Sequence, residues 1–172
     1  MKGQMDLMTP AMAVAQEIMG IPEFGMPPVD PFEAHIEYVE KFKKAVLLVA
    51  GAAVQKLMQS LAKEQEVLMR IADMMIWTYT AESLVLRVQK LAGQRGEDAV
   101  AHEMAMMKVY CYEVAERMHS AGKEALLAFA EGDELKGMLM GLKRFTKTEP
   151  FNTTAARQAI AQKLIAENEY CW

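Results

Sequence analysis

Cysteine is scarce in this sequence, and neither cysteine belongs to a recognisable motif. The 172 residues include two cysteines, Cys111 and Cys171, which lie far apart and outside any C-x-x-C pair. Two isolated thiols do not make a disulfide framework, so this usage favours a reduced compartment and predicts a cytoplasmic location. We expect Cys111 to lie on the core face of a helix, where a buried thiol is inert, and Cys171 to pack near the terminus.

Charge of one sign and long hydrophobic runs are also lacking. Lys and Arg number 19 against 23 Asp and Glu, which gives a net charge of −4, and the basic residues are scattered along the chain. This distribution argues against a nucleic-acid partner, because phosphate binding needs concentrated positive charge. The longest uncharged apolar run, residues 45–54, is about half of the ~20 residues needed to cross a bilayer. Residues 1–6 lack the apolar core of a signal peptide.

Motifs that hold metals or phosphates are incomplete. Glu116 and His119 have the Glu-x-x-His spacing, but a ferritin-like di-iron site needs two such motifs and glutamates on two further helices. Glu116 also lies about 200° around the helix from the core position Val114, so we expect Glu116 and His119 to be solvated. The G-x-x-G segment at 93–96 follows a helix and not a strand, which excludes a dinucleotide cradle.

No catalytic set can be assembled either. His35 and His102 fall in the first turns of predicted helices beside acidic residues, where we expect them to be exposed. Glu82 lies in mid-helix with Thr78 and Thr80, and two interpretations stay open for it. It is either a functional carboxylate or a charge that bonds a neighbouring helix or faces solvent, and we favour the second. The sequence therefore predicts no catalytic, cofactor-binding or metal-binding residue in this chain.

Helical periodicity is what the sequence has in abundance. Apolar residues make up 52% of the chain, including 16 methionines, and they recur three and four positions apart. No segment shows sustained alternation of period two, so we expect no strands. The prediction is an all-α fold, an up-down bundle of three long helices completed by a shorter C-terminal helical pair. The predicted helices cover residues 10–19, 31–61, 64–92, 97–131 and 133–146, and a last one runs from a cap at 152 or 153 to 170.

Each long helix carries a predicted core stripe, and polar residues 59–64 are expected to form a tight turn between the first two. The first stripe is Phe32, Ile36, Val39, Phe42, Val46, Val49 or Ala50, Ala53, Leu57 and Leu61. The second is Val67, Ile71, Met74, Ala81, Val85 and Val88. The third is Val100, Met104, Met107, Cys111, Val114, Met118, Ala121 and Ala125.

Proline and glycine divide the chain into two parts. Four of the six prolines lie between residues 20 and 31, a pattern that predicts an extended connector. Asp30 and Pro31 then give a strong helix start, with an acidic N-cap and proline at the first helical position. We therefore expect a short helix and Pro-rich connector over 1–30 and a helical bundle domain over 31–172.

Two segments carry more apolar surface than a small bundle easily hides. Residues 45–54 are apolar around much of the helix and are expected to be buried on more than one side, and residues 74–77 (MMIW) are apolar in succession. This surplus predicts contact with another domain or subunit, and hence a homo-oligomer or a peripheral membrane contact.

Several segments resemble the C-terminal extension of bacterial acyl-CoA dehydrogenases, and the long helices also resemble the extra helical domain of very-long-chain acyl-CoA dehydrogenases. The likeness rests on packing and capping patterns over almost the whole chain. The segments are 2–25 (KGQMDLMTPAMAVAQEIMGIPEFG), 42–58 (FKKAVLLVAGAAVQKLM), 64–74 (EQEVLMRIADM) and 145–172 (FTKTEPFNTTAARQAIAQKLIAENEYCW).

The resemblance implies a parent enzyme that uses FAD to oxidise the Cα–Cβ bond of an acyl-CoA in fatty-acid β-oxidation. A glutamate removes the α-proton while a hydride passes to the flavin, and that glutamate belongs to a Glu-Gly-Thr-Asn type segment upstream of the extension. This sequence contains no such segment, so no catalytic or flavin-binding residue carries over to it. The extension in that family packs on the catalytic core, replaces tetramer contacts and is linked with membrane association.

The expected function is therefore that of an accessory domain, which is either excised from a longer bacterial polypeptide or a fragment of one. We expect the chain alone to be inactive and FAD to be bound by the rest of the parent enzyme. Its expected partner is the parent's catalytic core. The alternative is a free-standing helical module that binds a partner or docks peripherally on a membrane. A small metalloenzyme is a third hypothesis, which the incomplete Glu-x-x-His pattern disfavours.

Overall fold

The computed structural model of the protein describes residues 7–20 and 30–169, and within them the chain forms six α-helices and no strand. The predicted all-α fold is confirmed. The expected connector at 21–29 and the packing of Cys171 lie outside the described residues. The helices are α1 (Met8–Met19), α2 (Pro31–Leu57), α3 (Gln65–Arg95), α4 (Ala101–Leu127), α5 (Gly132–Phe145) and α6 (Thr153–Glu167).

The three long helices α2, α3 and α4 pack against one another around one core. The short helices pack on the outside of this bundle. Helix α1 packs on α2, α5 packs on both α2 and α4, and α6 packs on α4. Short reversals between the long helices make sequence neighbours antiparallel. Val14 of α1 belongs to the same buried cluster as the long helices.

Local chemistry explains where α2 begins and ends. The Asp30 carboxylate accepts a hydrogen bond from the Phe32 backbone N–H at 2.7 Å, which is the predicted N-cap. The α-helix ends at Leu57 and not at 61, because Met58 takes a positive φ of 47°. Residues Met58–Lys63 form a 3₁₀ helix, and the Ser60 hydroxyl donates to the Leu57 carbonyl at 2.6 Å. This tight turn occupies the polar segment that the sequence assigns to the reversal.

The later helix ends also differ from the prediction by a few residues. α3 continues through Gly93 to Arg95, and Gly96 ends it with φ 87° while its N–H donates to Ala92. The third long helix is shorter than expected, because residues 98–100 are 3₁₀ and the chain turns at 128–131. Gly132 has φ 64° at that turn, a conformation that suits glycine.

The core stripes of α3 and α4 are confirmed, whereas that of α2 is confirmed only in part, because Ile36 is exposed and three further positions are half-buried: Val46, Leu57 and Leu61. Every predicted α3 position is buried, and so is every predicted α4 position except the half-buried Met104. On α2, Ile36 is 38% exposed and His35 lies in the core at 8%. His35 and Ile36 lie three and four residues after Phe32, and both spacings fit a helical repeat, so periodicity alone does not decide which of the two is buried. The aromatic ring of Tyr38 packs edge-on against His35, with centroids 5.5 Å apart.

A close approach between Gly51 and Ala11 seats α1 on the bundle. A Cβ added at Gly51 would lie 2.4 Å from the Ala11 Cβ, so the two helices meet without room for a methyl group. We expect Gly51→Ala to push α1 outward and lower the free energy of unfolding by about 1–3 kcal/mol, as overpacking does. Chemical denaturation followed by circular dichroism measures this loss.

Gly137→Ala is the matched control for that substitution. Nothing lies within 4 Å of a Cβ added at Gly137, which is also helical, so alanine there should stabilise by about 0.5–1 kcal/mol. Equal unfolding free energies for the two variants would show that α1 does not pack on α2 at this distance.

Candidate interaction surface

Glu116 and His119 are not brought to a common site. Glu116 is exposed, as predicted, but His119 is half-buried, which corrects the expected solvation of this histidine. Its Nδ1 lies 3.1 Å from Thr146 Oγ1, and the same hydroxyl donates to the Leu142 carbonyl at 2.8 Å. Because the hydroxyl proton is committed to Leu142, Nδ1–H must be the donor to Thr146. His119 therefore fastens α4 to the end of α5.

The other two histidines are also less exposed than predicted. His35 is buried beside Tyr38, and His102 is half-buried next to Glu103, which is 7% exposed. A carboxylate this deep needs a charged partner, and the Arg95 guanidinium lies 3.6 Å from Glu103 Oε1. The expected exposure of this turn is wrong, because the 3₁₀ start of the third long helix rotates Glu103 toward α3. Among the described residues no group of three or more His, Cys, Asp and Glu side chains is placed to hold a metal ion.

Glu82 bonds a neighbouring helix, as the favoured interpretation predicts. Its Oε1 accepts from the Lys43 ammonium at 2.7 Å, and Lys43 also donates to Glu40 at 2.9 Å. The hydrogen bonds to Glu82 and, next in size, to Glu40 raise the pKa of Lys43 above its usual value. The pairing therefore stabilises the fold at neutral pH, and its contribution is lost as the pH rises through that pKa. Thr78 and Thr80 donate to the backbone one turn earlier, at Met74 and Ile76.

A cavity of about 200 Å³ lies between α2, α4 and the segment before α6. Cys111, His35 and Tyr38 line it, with Phe151 closing it from the segment before α6. The Cys111 side chain is 1% exposed, which confirms its predicted core position. Burial raises the pKa of its thiol to about 12, so Cys111 is not an activated nucleophile.

We expect Cys111 to resist thiol reagents in the native protein. With a thiol pKa of about 12, about one molecule in ten thousand carries the thiolate at pH 8. In a Cys171→Ser variant, a chromogenic disulfide reagent at pH 8 should leave Cys111 unmodified until denaturant unfolds the chain. The same variant in guanidinium, which should react fully, is the control. Modification of the native protein within minutes would contradict the burial.

The bundle hides the first of the two predicted apolar segments and exposes the second. Residues 48–53 of α2 are all buried, since α1 and α5 cover the side of α2 that faces away from α3 and α4. On α3, Met74 is fully buried, but Met75 and Ile76 are more than half exposed. Of the two predicted segments, the second therefore leaves strongly exposed apolar side chains, on the outward side of α3.

We name this surface the α3 outer face. It lies opposite the buried stripe of α3 and carries no charged side chain between Leu68 and Leu86, a length of about 27 Å. Tyr79 is 73% exposed and Met69 64% exposed. Contiguous apolar patches of this kind are uncommon on proteins that act alone. The α3 outer face consists of Leu68, Met69, Ala72, Met75, Ile76, Tyr79, Ser83 and Leu86.

A second apolar surface is a concave groove of about 350 Å³ between α1, α2 and α5. Met12 and Met19 of α1, Leu48 of α2 and Met138 of α5 line it, and Glu134 lies at its rim. Two of these methionines are strongly exposed, Met19 to 91%. Methionine is flexible and polarisable, so such a groove suits an irregular apolar partner surface.

Comparisons with known proteins identify relatives over almost the whole chain. The family described as "Acyl-CoA dehydrogenase, C-terminal domain" matches residues 41–144. A probable acyl-CoA dehydrogenase of Bacillus subtilis (strain 168) is 30% identical over 99% of this chain, which spans 28% of that relative's length. A crystal structure of an acyl-CoA dehydrogenase complexed with FAD from Bacillus anthracis superimposes with a TM-score of 0.92 at 32% identity, and it matches 99% of this chain and 29% of its own.

Proposed function

Because this chain belongs to the acyl-CoA dehydrogenase C-terminal domain family, we propose that it acts as a packing domain of an FAD-dependent enzyme of bacterial fatty-acid β-oxidation. In this role it covers and stabilises the catalytic core, which holds the flavin and the base. The chain contributes no catalytic residue of its own.

One observation carries this proposal. Apolar side chains pack the interior of the described part of the bundle, and further large apolar side chains are exposed on its surface. The largest fully buried side chains, which include Phe42, Phe145 and Met118, are packed among the long helices and α5. Three buried groups have reactive potential, and each has structural surroundings. The thiol pKa of Cys111 is raised, His35 packs against Tyr38, and Glu103 faces Arg95. A domain with this distribution acts through its surfaces.

The length comparison supports a role within a larger polypeptide. The chain spans 28% of the curated relative and 29% of the solved FAD complex, so most of each relative lies outside the matched part. The groove beside α1 offers that remaining part an apolar surface. Burial of such surface contributes roughly 25 cal/mol per Å² of apolar area, enough to hold two covalently linked domains together.

Reading the DNA upstream of the Met1 codon tests the proposal directly. We expect an open reading frame of several hundred codons in frame with Met1, including a Glu-Gly-Thr-Asn type segment that supplies the base. An in-frame stop codon with a ribosome-binding site directly before Met1, and no separate gene for a catalytic core, would contradict the proposal.

Peripheral membrane docking is a second candidate, for which the α3 outer face supplies exposed apolar side chains. One described helical stretch, Phe32–Lys63, is long and apolar enough to cross a membrane by length and composition, with 39% of its most apolar window buried. Phe42, Ala45 and Val49 of that stretch are fully buried between the helices, so it already serves as a core helix. Flotation of the purified chain with anionic liposomes tests this candidate, and a chain that stays in the dense fraction rejects it.

A further inference from the structure

The exposed charges at the two ends of the α3 outer face differ in sign. The acids Glu64 and Glu66 stand at the N-terminal end of α3, after Lys63 of the preceding 3₁₀ helix, and the bases Arg87 and Lys90 stand toward its C-terminal end. These two acids and two bases are all exposed, and within the part of the chain that the structure describes none of them forms an ion pair. The uncharged face between them is therefore bounded by one acidic and one basic end.

The apolar positions are symmetric about a point between residues 77 and 78. Met69 and Leu86 lie equally far from that point, as do Ile76 and Tyr79. Across an antiparallel helix pair with a two-fold axis through this point, Met69 of one helix would face Leu86 of the other, and Ile76 would face Tyr79. The small residues Ala72 and Ser83 are placed in the same way and would let the two helices approach closely.

The same antiparallel arrangement also places charges of opposite sign next to each other. The acidic end of one α3 would lie beside the basic end of the other, so Glu64 and Glu66 would meet Arg87 and Lys90 twice across the axis. The helix dipoles of an antiparallel pair also run in opposite directions, which is favourable. A parallel pair would instead place acids beside acids and bases beside bases.

We propose that the α3 outer face is a symmetric interface at which a second copy of this chain packs antiparallel. The charge pattern favours this occupant over a lipid surface, because the acidic end would be repelled by anionic headgroups. The proposal goes beyond the packing role within one polypeptide, since it joins two such domains. It holds whether or not the chain is attached to a flavin-binding core.

The test is the molar mass of the 172-residue chain, measured by sedimentation velocity across protein concentrations. The wild-type chain should be a dimer that dissociates on dilution. Tyr79→Arg should weaken dimerisation at least about tenfold, because two arginines would face the apolar centre of the interface. Met140→Arg is the matched control, since Met140 is exposed to the same 73% on α5, and this variant should remain a dimer.

Charge reversal gives a second readout that leaves the apolar face intact. The double variant Glu64→Lys with Glu66→Lys should be monomeric, and so should Arg87→Glu with Lys90→Glu, because each makes both ends alike in sign. Mixing the two double variants should produce a 1:1 heterodimer, and the chain with all four substitutions should dimerise again. Circular dichroism confirms that each variant is folded.

Several outcomes would overturn the proposal. The first is a wild-type chain that remains monomeric at about 100 μM, well above the range of a specific dimer. The second is a dimer that Tyr79→Arg leaves intact, or double variants that do not associate on mixing. The third is a monomer that floats with anionic vesicles, which would assign the α3 outer face to a lipid surface.

Discussion

Phe42→Ala is expected to lower the free energy of unfolding by about 3–5 kcal/mol. Phe42 is fully buried near the middle of α2, in the cluster that joins α2 to α3, α4 and α5. Truncation removes the transfer free energy of the aromatic ring and leaves a cavity that rigid neighbouring helices fill only in part. Guanidinium denaturation monitored by far-ultraviolet circular dichroism gives the loss as a lower midpoint at unchanged slope.

Ile36→Ala is the matched control, because the helical repeat places both residues on the core stripe but the structure exposes 38% of Ile36. We expect this substitution to cost about 1 kcal/mol or less, since part of the side chain is already in water. Equal losses for the two variants would mean that α2 is rotated so that Ile36, and not His35, faces the core.

Leu142→Ala is expected to cost about 2–5 kcal/mol and to loosen α5 selectively. Leu142 is fully buried, and its methyl groups lie 2.8 Å and 3.0 Å from the position of a Cβ on Gly122. The glycine of α4 thus forms a slot that the leucine fills. The absence of a side chain at Gly122 therefore leaves room for Leu142.

Amide hydrogen exchange should locate the effect of Leu142→Ala on the bundle. Protection should fall along α5, whereas α3 and the buried half of α4 should retain slow exchange. Met140→Ala provides the control, because Met140 projects from the opposite side of α5 into solvent. A uniform loss of protection in every helix would show that α5 is not a separate layer on the three long helices.

The sequence predicted the elements of the fold well because each long helix has a continuous apolar stripe. The predicted repeat in α3 runs from Val67 to Val88, and all its positions are buried. Helix ends were harder to predict, since Met58 breaks α2 without a glycine or proline. Tertiary contacts decide such details of helix position. At the start of α2, for example, His35 packs against Tyr38 and is buried in place of Ile36.

The candidate surface was only partly predictable. Residues 74–77 indicated an apolar surplus, and the structure confirms exposed side chains at Met75 and Ile76. Burial of Glu103 and the role of His119 could not be anticipated, because both depend on a partner distant in sequence or on a change of helix type. The sequence signal for the rest of the α3 outer face was present as a second stripe opposite the first, running from Leu68 to Leu86.

The central claim is that this domain acts by packing and holds no chemistry of its own. The most direct measurement is a titration of the purified 172-residue chain with FAD and, separately, with an acyl-CoA, followed by absorption spectroscopy and calorimetry. We predict no flavin absorbance in the purified chain, no saturable heat with either ligand and no dehydrogenase turnover. Stoichiometric binding of FAD, or turnover of the acyl-CoA by the isolated chain, would contradict the claim.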